Sequence, residues 1–350
     1  MIRLWIKGGV IMLQKQIELA RRPQGIPVME DFRIKETEIP EAKDGEVLVK
    51  TLYVSVDPYM RGRMQDAKSY VEPFPLDEVI TGGVIGEIIS SKGAKLQKGD
   101  IVIGNLGWQE YSAVPETNLQ KIDPSLAPVT AYLGILGMTG LTAYFGLLDI
   151  GRPKAGETVV VSGAAGAVGS AVGQIAKIKG ARVVGIAGSD EKTAYLKEQL
   201  GFDETINYKT TENIASALEK ACPNGIDVYF DNVGGSISDA VLTLINKFAR
   251  IPVCGSISSY NAESAKDDMG PRVQTALIKS SALMKGFVVN DYRDRFPEGA
   301  EQLAEWVKSG RIQYEETITE GFERIPEAFL GLFKGKNLGK QLIKVSEPEK

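Results

Sequence analysis

Between Gln14 and about Pro124, apolar and polar residues alternate over short runs separated by turn residues. Gly45-Glu46 leads into the run 47–56, a glycine-bearing apolar run covers 81–89, Lys98-Gly99-Asp100 is a turn, and 101–103 is apolar again. Each run predicts a strand, and strands this short suit a partly closed barrel. Past Pro128 the period changes. Strands predicted at 157–161, 182–187, 204–208 and 226–231 alternate with helices at 167–179, 190–200 and 213–221. A helix at 237–246, a strand at 249–254 and a last strand near 284–289 complete the series. Such alternation predicts an α/β fold with a doubly wound parallel sheet. The tail from about Ile312, strand-like at 340–345, is too short for a domain of its own and is expected to rejoin the first region. The expected organisation is a catalytic domain of residues 12–127 with 312–350, and a nucleotide-binding domain of 128–311 inserted into it. The active site is expected in the cleft between them.

The stretch 159–173, VVVSGAAGAVGSAVG, reads as buried strand, glycine turn and helix opening in succession. Gly163 can supply a tight turn, Gly166 lets backbone N–H groups approach a pyrophosphate, and Gly169 lets the helix pack close to the strand. Gly166, Ala167, Val168 and Gly169 are therefore candidate phosphate contacts. Three spaced glycines alone are equally compatible with a linking turn. The helix continuing through Gln174 to Ile178, the stop at Gly180 and the apolar strand from Arg182 complete a βαβ unit and favour the dinucleotide reading.

Composition narrows the function. At 350 residues, 43% hydrophobic and 25% charged, the chain has room for two ordinary globular domains. A formal net charge of -4 with scattered basic residues gives no nucleic-acid footprint. Two cysteines, Cys222 and Cys254, cannot build a disulfide framework or a multi-thiolate metal site. No apolar run approaches a membrane span, so a cytoplasmic location is expected. Residues 1–11 (MIRLWIKGGVI) lack the patterning of the rest, and a Lys-Gly-Gly triplet shortly before Met12 can be encoded by a purine-rich ribosome-binding sequence. The expectation is that these residues are an untranslated leader and that Met12 is the start. The chain has no histidine, which excludes a histidine general base, a Ser-His-Asp triad and a histidine-ligated zinc.

Seven stretches carry a family resemblance in order: VSVDPYMRGRM (54–64), AAGAVGSAVGQIAK (164–177), GSDEK (188–192), FDNVGG (230–235), CGSISSYN (254–261), GFVV (286–289) and NLGK (337–340). The chain resembles the medium-chain dehydrogenase/reductase superfamily and, within it, the zinc-independent NADPH-dependent alkenal and enone reductases of the leukotriene B4 dehydrogenase/prostaglandin reductase group. The resemblance implies a GroES-like, partly open barrel beside a Rossmann domain, and a homodimer formed by pairing the sixth strands of two sheets. It also implies cofactor contacts at Tyr208, Asn232, Cys254, Gly255, Ser256, Ile257, Ser258, Ser259, Tyr260, Phe287, Val288, Val289 and Asn337. Zinc-dependent members carry Gly-His-Glu where this chain has Gly82-Gly83-Val84.

Cofactor choice follows from the second predicted strand. An NAD site ends that strand with an acid that accepts from ribose hydroxyls and repels a 2′-phosphate. Here the position is Ala187, followed by small uncharged Gly188 and Ser189 and then by Lys192. This predicts NADP(H), although Lys192 read alone is better explained as a solvated helix lysine, and it is the absent acid that favours a phosphate contact. Without a Lewis acid, alcohol oxidation is disfavoured, and reduction of a conjugated C=C bond needs only a hydrogen-bond donor for the developing enolate. Tyr59 and Tyr260 are the candidate donors, assisted by a cofactor ribose hydroxyl; Tyr59 reads equally as a buried packing phenol. Some relatives place a catalytic tyrosine where this chain has Lys279. The expected substrates are small enals and enones. The alternatives are an NADPH:quinone reductase and, from another class, a nucleotide-binding sensor or structural protein.

Overall fold

The computed structural model describes residues 2–6, 9–264 and 266–349, with side chains from Met12 onward. Residues 1, 7 and 8 of the expected leader lie outside the described residues. The chain divides into two compact units: Met1–Leu133 with Thr317–Lys336 and Gln341–Lys350, and Gly134–Glu316 with Asn337–Lys340. No described helix is long and apolar enough to cross a membrane.

The first unit opens with β1 (Ile2–Ile6), β2 (Gly9–Leu19) and β3 (Phe32–Glu38), an antiparallel three-stranded sheet. β4 (Glu46–Ser55), a short helix α1 (Met60–Arg63), β5 (Thr81–Ser91), β6 (Ile101–Gly107), β7 (Tyr111–Pro115) and β8 (Leu119–Lys121) follow. β4 alternates because Val47, Val49 and Val54 are buried in the same core as Trp108 and Phe329. Phe32, Trp108 and Phe329 meet with ring centroids 6.1 to 6.3 Å apart.

The second unit begins with α2 (Met138–Phe145) and β9 (Thr158–Ser162), every residue of which is buried. The series continues with α3 (Ala167–Ile178), β10 (Arg182–Ala187), α4 (Asp190–Glu198), β11 (Glu204–Asn207), α5 (Ile214–Ala221) and β12 (Ile226–Phe230). It ends with α6 (Gly235–Leu242), β13 (Ile245–Val253), α7 (Gln274–Ser280), β14 (Leu283–Gly286) and α8 (Phe296–Lys308). The strand order is β11-β10-β9-β12-β13-β14 and every pairing is parallel, the Rossmann arrangement.

The tail supplies β15 (Glu316–Glu320), α9 (Ile325–Phe333) and β16 (Lys340–Lys344). β16 pairs antiparallel with β4, giving the order β15-β16-β4-β5-β6-β8, with β7 also on β4. Leu342 and Ile343 are fully buried there and Phe329 enters the first unit's core. Burying each such side chain contributes about 1.5–3 kcal/mol, which a short tail cannot obtain alone.

The largest boundary differences from the sequence reading in this unit lie at α6, β13 and β14. The helix expected through Asn246 stops at Leu242, and β13 begins at Ile245 rather than Ala249. Thr243 Oγ1 donates to the Ala240 carbonyl, Ile245 pairs with Ile226, and the Asn246 amide donates to Asn224 O and Asp227 Oδ1 at 2.9 Å. Sheet pairing thus outcompetes the last helical turn. The sixth strand ends at Gly286, so Phe287, Val288 and Val289 lie beyond it. A 3₁₀ turn starts at Val289, held by Asp291, which accepts from Val288 N–H through its side chain at 3.3 Å.

Candidate functional site

At the end of β9 the chain turns at Gly163, whose φ of +60° is open to glycine at little cost. Gly166 is the N-cap of α3 and offers no side-chain cap, so the first-turn N–H groups of Ala167, Val168 and Gly169 stand at the positive end of the helix, a kind of terminus that suits an anion. A Cβ at Gly169 would overlap the Gly163 carbonyl oxygen and approach Ala164 Cα to 2.7 Å, so the helix packs this close only with glycine there. The tail closes over the turn: Gly339 bridges Gly166 and donates to Ala165 O at 2.9 Å, and Asn337 Nδ2 donates to Gly339 O at 2.8 Å. Asn337 is thereby brought beside the glycine turn from the far end of the sequence.

At the end of β10, buried Ala187 accepts the Tyr208 N–H through its carbonyl at 3.1 Å. The Tyr208 phenol lies over Gly188; a Cβ there would sit 3.0 Å from its ring and 3.1 Å from its hydroxyl. Ser189 caps α4, its hydroxyl accepting the Lys192 N–H at 3.3 Å. Ala187, Gly188, Ser189, Lys192 and Tyr208 therefore form one corner. Burial, and then the charge of Lys209, hold the half-buried Lys192 ammonium below its ordinary range, against the opposing charge of Glu191. Lys209 was missed in the sequence; its only signal is its place directly after Tyr208.

The loops after β12 and β13 are joined. Asn232 donates from its amide to Ser162 O at 2.8 Å and lies against Gly163. Ser258 donates to Val233 O through its N–H at 3.0 Å and its hydroxyl at 2.6 Å, and Ile257 N–H donates to Asn232 O at 3.4 Å. The Ser256 and Ser259 hydroxyls are 2.7 Å apart, and the Tyr260 hydroxyl accepts the Ser256 N–H at 3.4 Å, over Gly255. Burial, then the nearby Asp231 charge, push the Cys254 thiol up to about 12, so it stays protonated. Phe287 packs against Phe230 and Tyr292, with centroids 6.2 and 6.4 Å away, while the Val288 carbonyl accepts from Asp291 N–H at 3.0 Å and its N–H donates to the Asp291 side chain at 3.3 Å. Asp231, which the sequence reading passed over inside FDNVGG, lies beneath both loops.

In the first unit, Tyr59 is partly buried against the core where Asp57-Pro58 leads into α1. Burial, then the Asp57 charge, raise its phenol above the ordinary range; Arg63 opposes this. The Arg63 guanidinium is stacked 3.9 Å over Phe74 and donates to Thr81 Oγ1 at 3.3 Å. Lys279, on α7, is exposed. At Gly83, where zinc-dependent relatives carry histidine, a Cβ would already be 3.1 Å from Leu133. Among the described residues no group of three His, Cys, Asp or Glu side chains could hold a metal. The donor set does not fit a catalytic zinc.

Comparisons with known proteins bear on the family and the fold. Residues 15–122 match the family described as the N-terminal domain of oxidoreductase, and residues 167–306 match the zinc-binding dehydrogenase family, here without a histidine. The chain is 76% identical, over 96% of its length and 98% of the relative's, to the Bacillus subtilis (strain 168) protein YfmJ, named as an NADP-dependent oxidoreductase. It is 45% identical to the NADP(+)-dependent 2-alkenal reductase of Nicotiana tabacum, covering 95% of this chain and 97% of that one. The crystal structure of CurA from Vibrio vulnificus in complex with NADPH superposes with a TM-score of 0.90 at 45% identity, over 95% of this chain and 100% of the other. The chain belongs to the medium-chain dehydrogenase/reductase family, in the group of NADPH-dependent alkenal and enone reductases.

Proposed function

We propose that the protein reduces the C=C bond of α,β-unsaturated aldehydes and ketones with NADPH. The observation that carries the cofactor is the corner at Ala187: no acid ends β10, while Lys192 and Tyr208 are brought to the same place. The relatives' names support the chemistry, since one acts on 2-alkenals and one is bound to NADPH. When bound, NADPH would supply the hydride for the substrate's β-carbon.

The remaining tasks fall to the chain. The first turn of α3 would hold the pyrophosphate, and Ser189, Lys192 and Tyr208 the 2′-phosphate. Asn232, the loop from Cys254 to Tyr260, the backbone at 287–289 and Asn337 would hold the nicotinamide half. Charge that builds on the substrate's carbonyl oxygen needs a hydrogen-bond donor, and the Tyr59 and Tyr260 hydroxyls are the candidates; burial holds the Tyr59 phenol above its ordinary range. We also propose a homodimer through the outer edge of β14, and a cytoplasmic location.

The test is loss of NADPH absorbance with a small enal, with a quinone and with no acceptor. The enal is expected to be turned over fastest. Faster turnover of the quinone would transfer the activity to quinone reduction, and no turnover with any acceptor would favour a nucleotide-binding role without catalysis.

A further inference from the structure

Asp231 is 3% exposed, at the carboxyl end of β12. Five donors converge on its carboxylate. Oδ1 accepts from Ser162 Oγ at 3.1 Å, Tyr229 OH at 2.9 Å, Val233 N–H at 3.0 Å and Gly234 N–H at 2.9 Å. Oδ2 accepts from Ser238 Oγ at 2.5 Å. Its backbone carbonyl accepts from Cys254 N–H at 2.8 Å and Gly255 N–H at 3.1 Å, and Ser162 Oγ accepts from Asn232 N–H at 2.9 Å.

This network joins three strand ends: β9, where the glycine turn begins, and the loops after β12 and β13. A buried carboxylate is costly to desolvate, and it persists here on neutral donors, with no ion pair to lysine or arginine among the described residues. Apolar packing would satisfy stability alone at least as well. What a doubly accepting, donor-saturated anion adds is fixed spacing between the segments it joins. None of its partners belongs to the corner formed by Ala187, Ser189, Lys192 and Tyr208.

We propose that Asp231 is a positioning residue for the nicotinamide half of the cofactor, setting Asn232 and the loop from Cys254 to Tyr260 against the glycine turn. The inference rests on the cofactor contacts proposed above. It predicts that the two halves of NADPH respond differently to its loss.

The experiment is titration of NADPH and of adenosine 2′,5′-bisphosphate, which carries only the adenosine end, with wild type, Asp231→Asn and Ser162→Ala. Asparagine keeps the shape but turns one acceptor into a donor facing the hydroxyls. Asp231→Asn should weaken NADPH about tenfold and the bisphosphate by less than about twofold, with Ser162→Ala following in the same direction. Equal weakening of both ligands, or no weakening of NADPH, would overturn the inference. If Asp231→Asn lost cooperative unfolding, Ser162→Ala would decide by the same criterion. Wild-type protein that bound NADPH no more tightly than the bisphosphate would remove the nicotinamide contacts themselves, and the inference with them; that result appears before any variant is made.

Discussion

At the end of β10 stands buried Ala187, where an aspartate would repel the proposed 2′-phosphate, and Lys192 follows in the first turn of α4. A charge-assisted contact contributes about 1.5–3 kcal/mol, but Lys209 lies close enough to replace part of the lost charge. Lys192→Ala should therefore weaken NADPH by about tenfold, the low end of that range, and leave NADH unchanged. Ala187→Asp should invert the preference, and fluorescence titration of both nucleotides checks each outcome. Equal weakening of NADPH and NADH by Lys192→Ala would make the lysine structural. For Tyr59→Phe, enone turnover should fall at least about tenfold with NADPH affinity unchanged, because only the hydroxyl is removed. Burial and Asp57 disfavour the phenolate, so the proton is held to higher pH than in a free tyrosine at about 10. Turnover should then show no loss from this group below that pH, and a falling limb near 8 would assign the donor elsewhere. The corner at Ala187 to Lys192 was legible because its residues are nearly consecutive. Asp231 was not, because its partner Ser162 is distant in sequence and a buried hydrogen-bonded aspartate looks like any other until the strands are side by side.

Elements with a strong period were legible to within a few residues: β9, α3 and β10 were read from valines, glycines and a helix stop. Their ends were set by competition that sequence does not display, as at Leu242, where pairing of Ile245 with Ile226 ended α6 early. The return of 337–340 onto the glycine turn was legible only as a match to related sequences, because it depends on a contact across nearly half the chain. Gly339 makes that contact with a φ of +63°, and a Cβ there would overlap the Glu315 carbonyl oxygen. Gly339→Ala should destabilise the second unit by about 1–3 kcal/mol and also weaken NADPH, since Asn337 and the turn would separate. Urea unfolding with and without NADPH measures both. A stability loss with unchanged NADPH affinity would leave Gly339 structural and remove Asn337 from the cofactor contacts.

For the whole molecule, β11 and β14 are the end strands of the parallel sheet among the described residues, and large apolar side chains are exposed on β14 and on its neighbouring elements. Leu283 on β14 is 42% exposed, Ile278 on α7 is 78% exposed and Phe248 on β13 is 63% exposed. Exposed strand edges flanked by large apolar side chains invite pairing with another chain. A twofold axis would let β14 pair with its own copy, so every residue at the contact would appear twice. The wild-type protein should therefore run in light scattering at about twice the 37.9 kDa chain mass. Ile278→Asp with Leu283→Asp would place like charges opposite one another in such an interface and raise its dissociation constant by at least about a hundredfold, giving monomer at micromolar concentration. Ile318→Asp, at an exposed position on β15 in the other unit, should leave the mass unchanged. A wild-type monomer would overturn the dimer, and a dimer that survives the double substitution would move the interface away from the β14 edge.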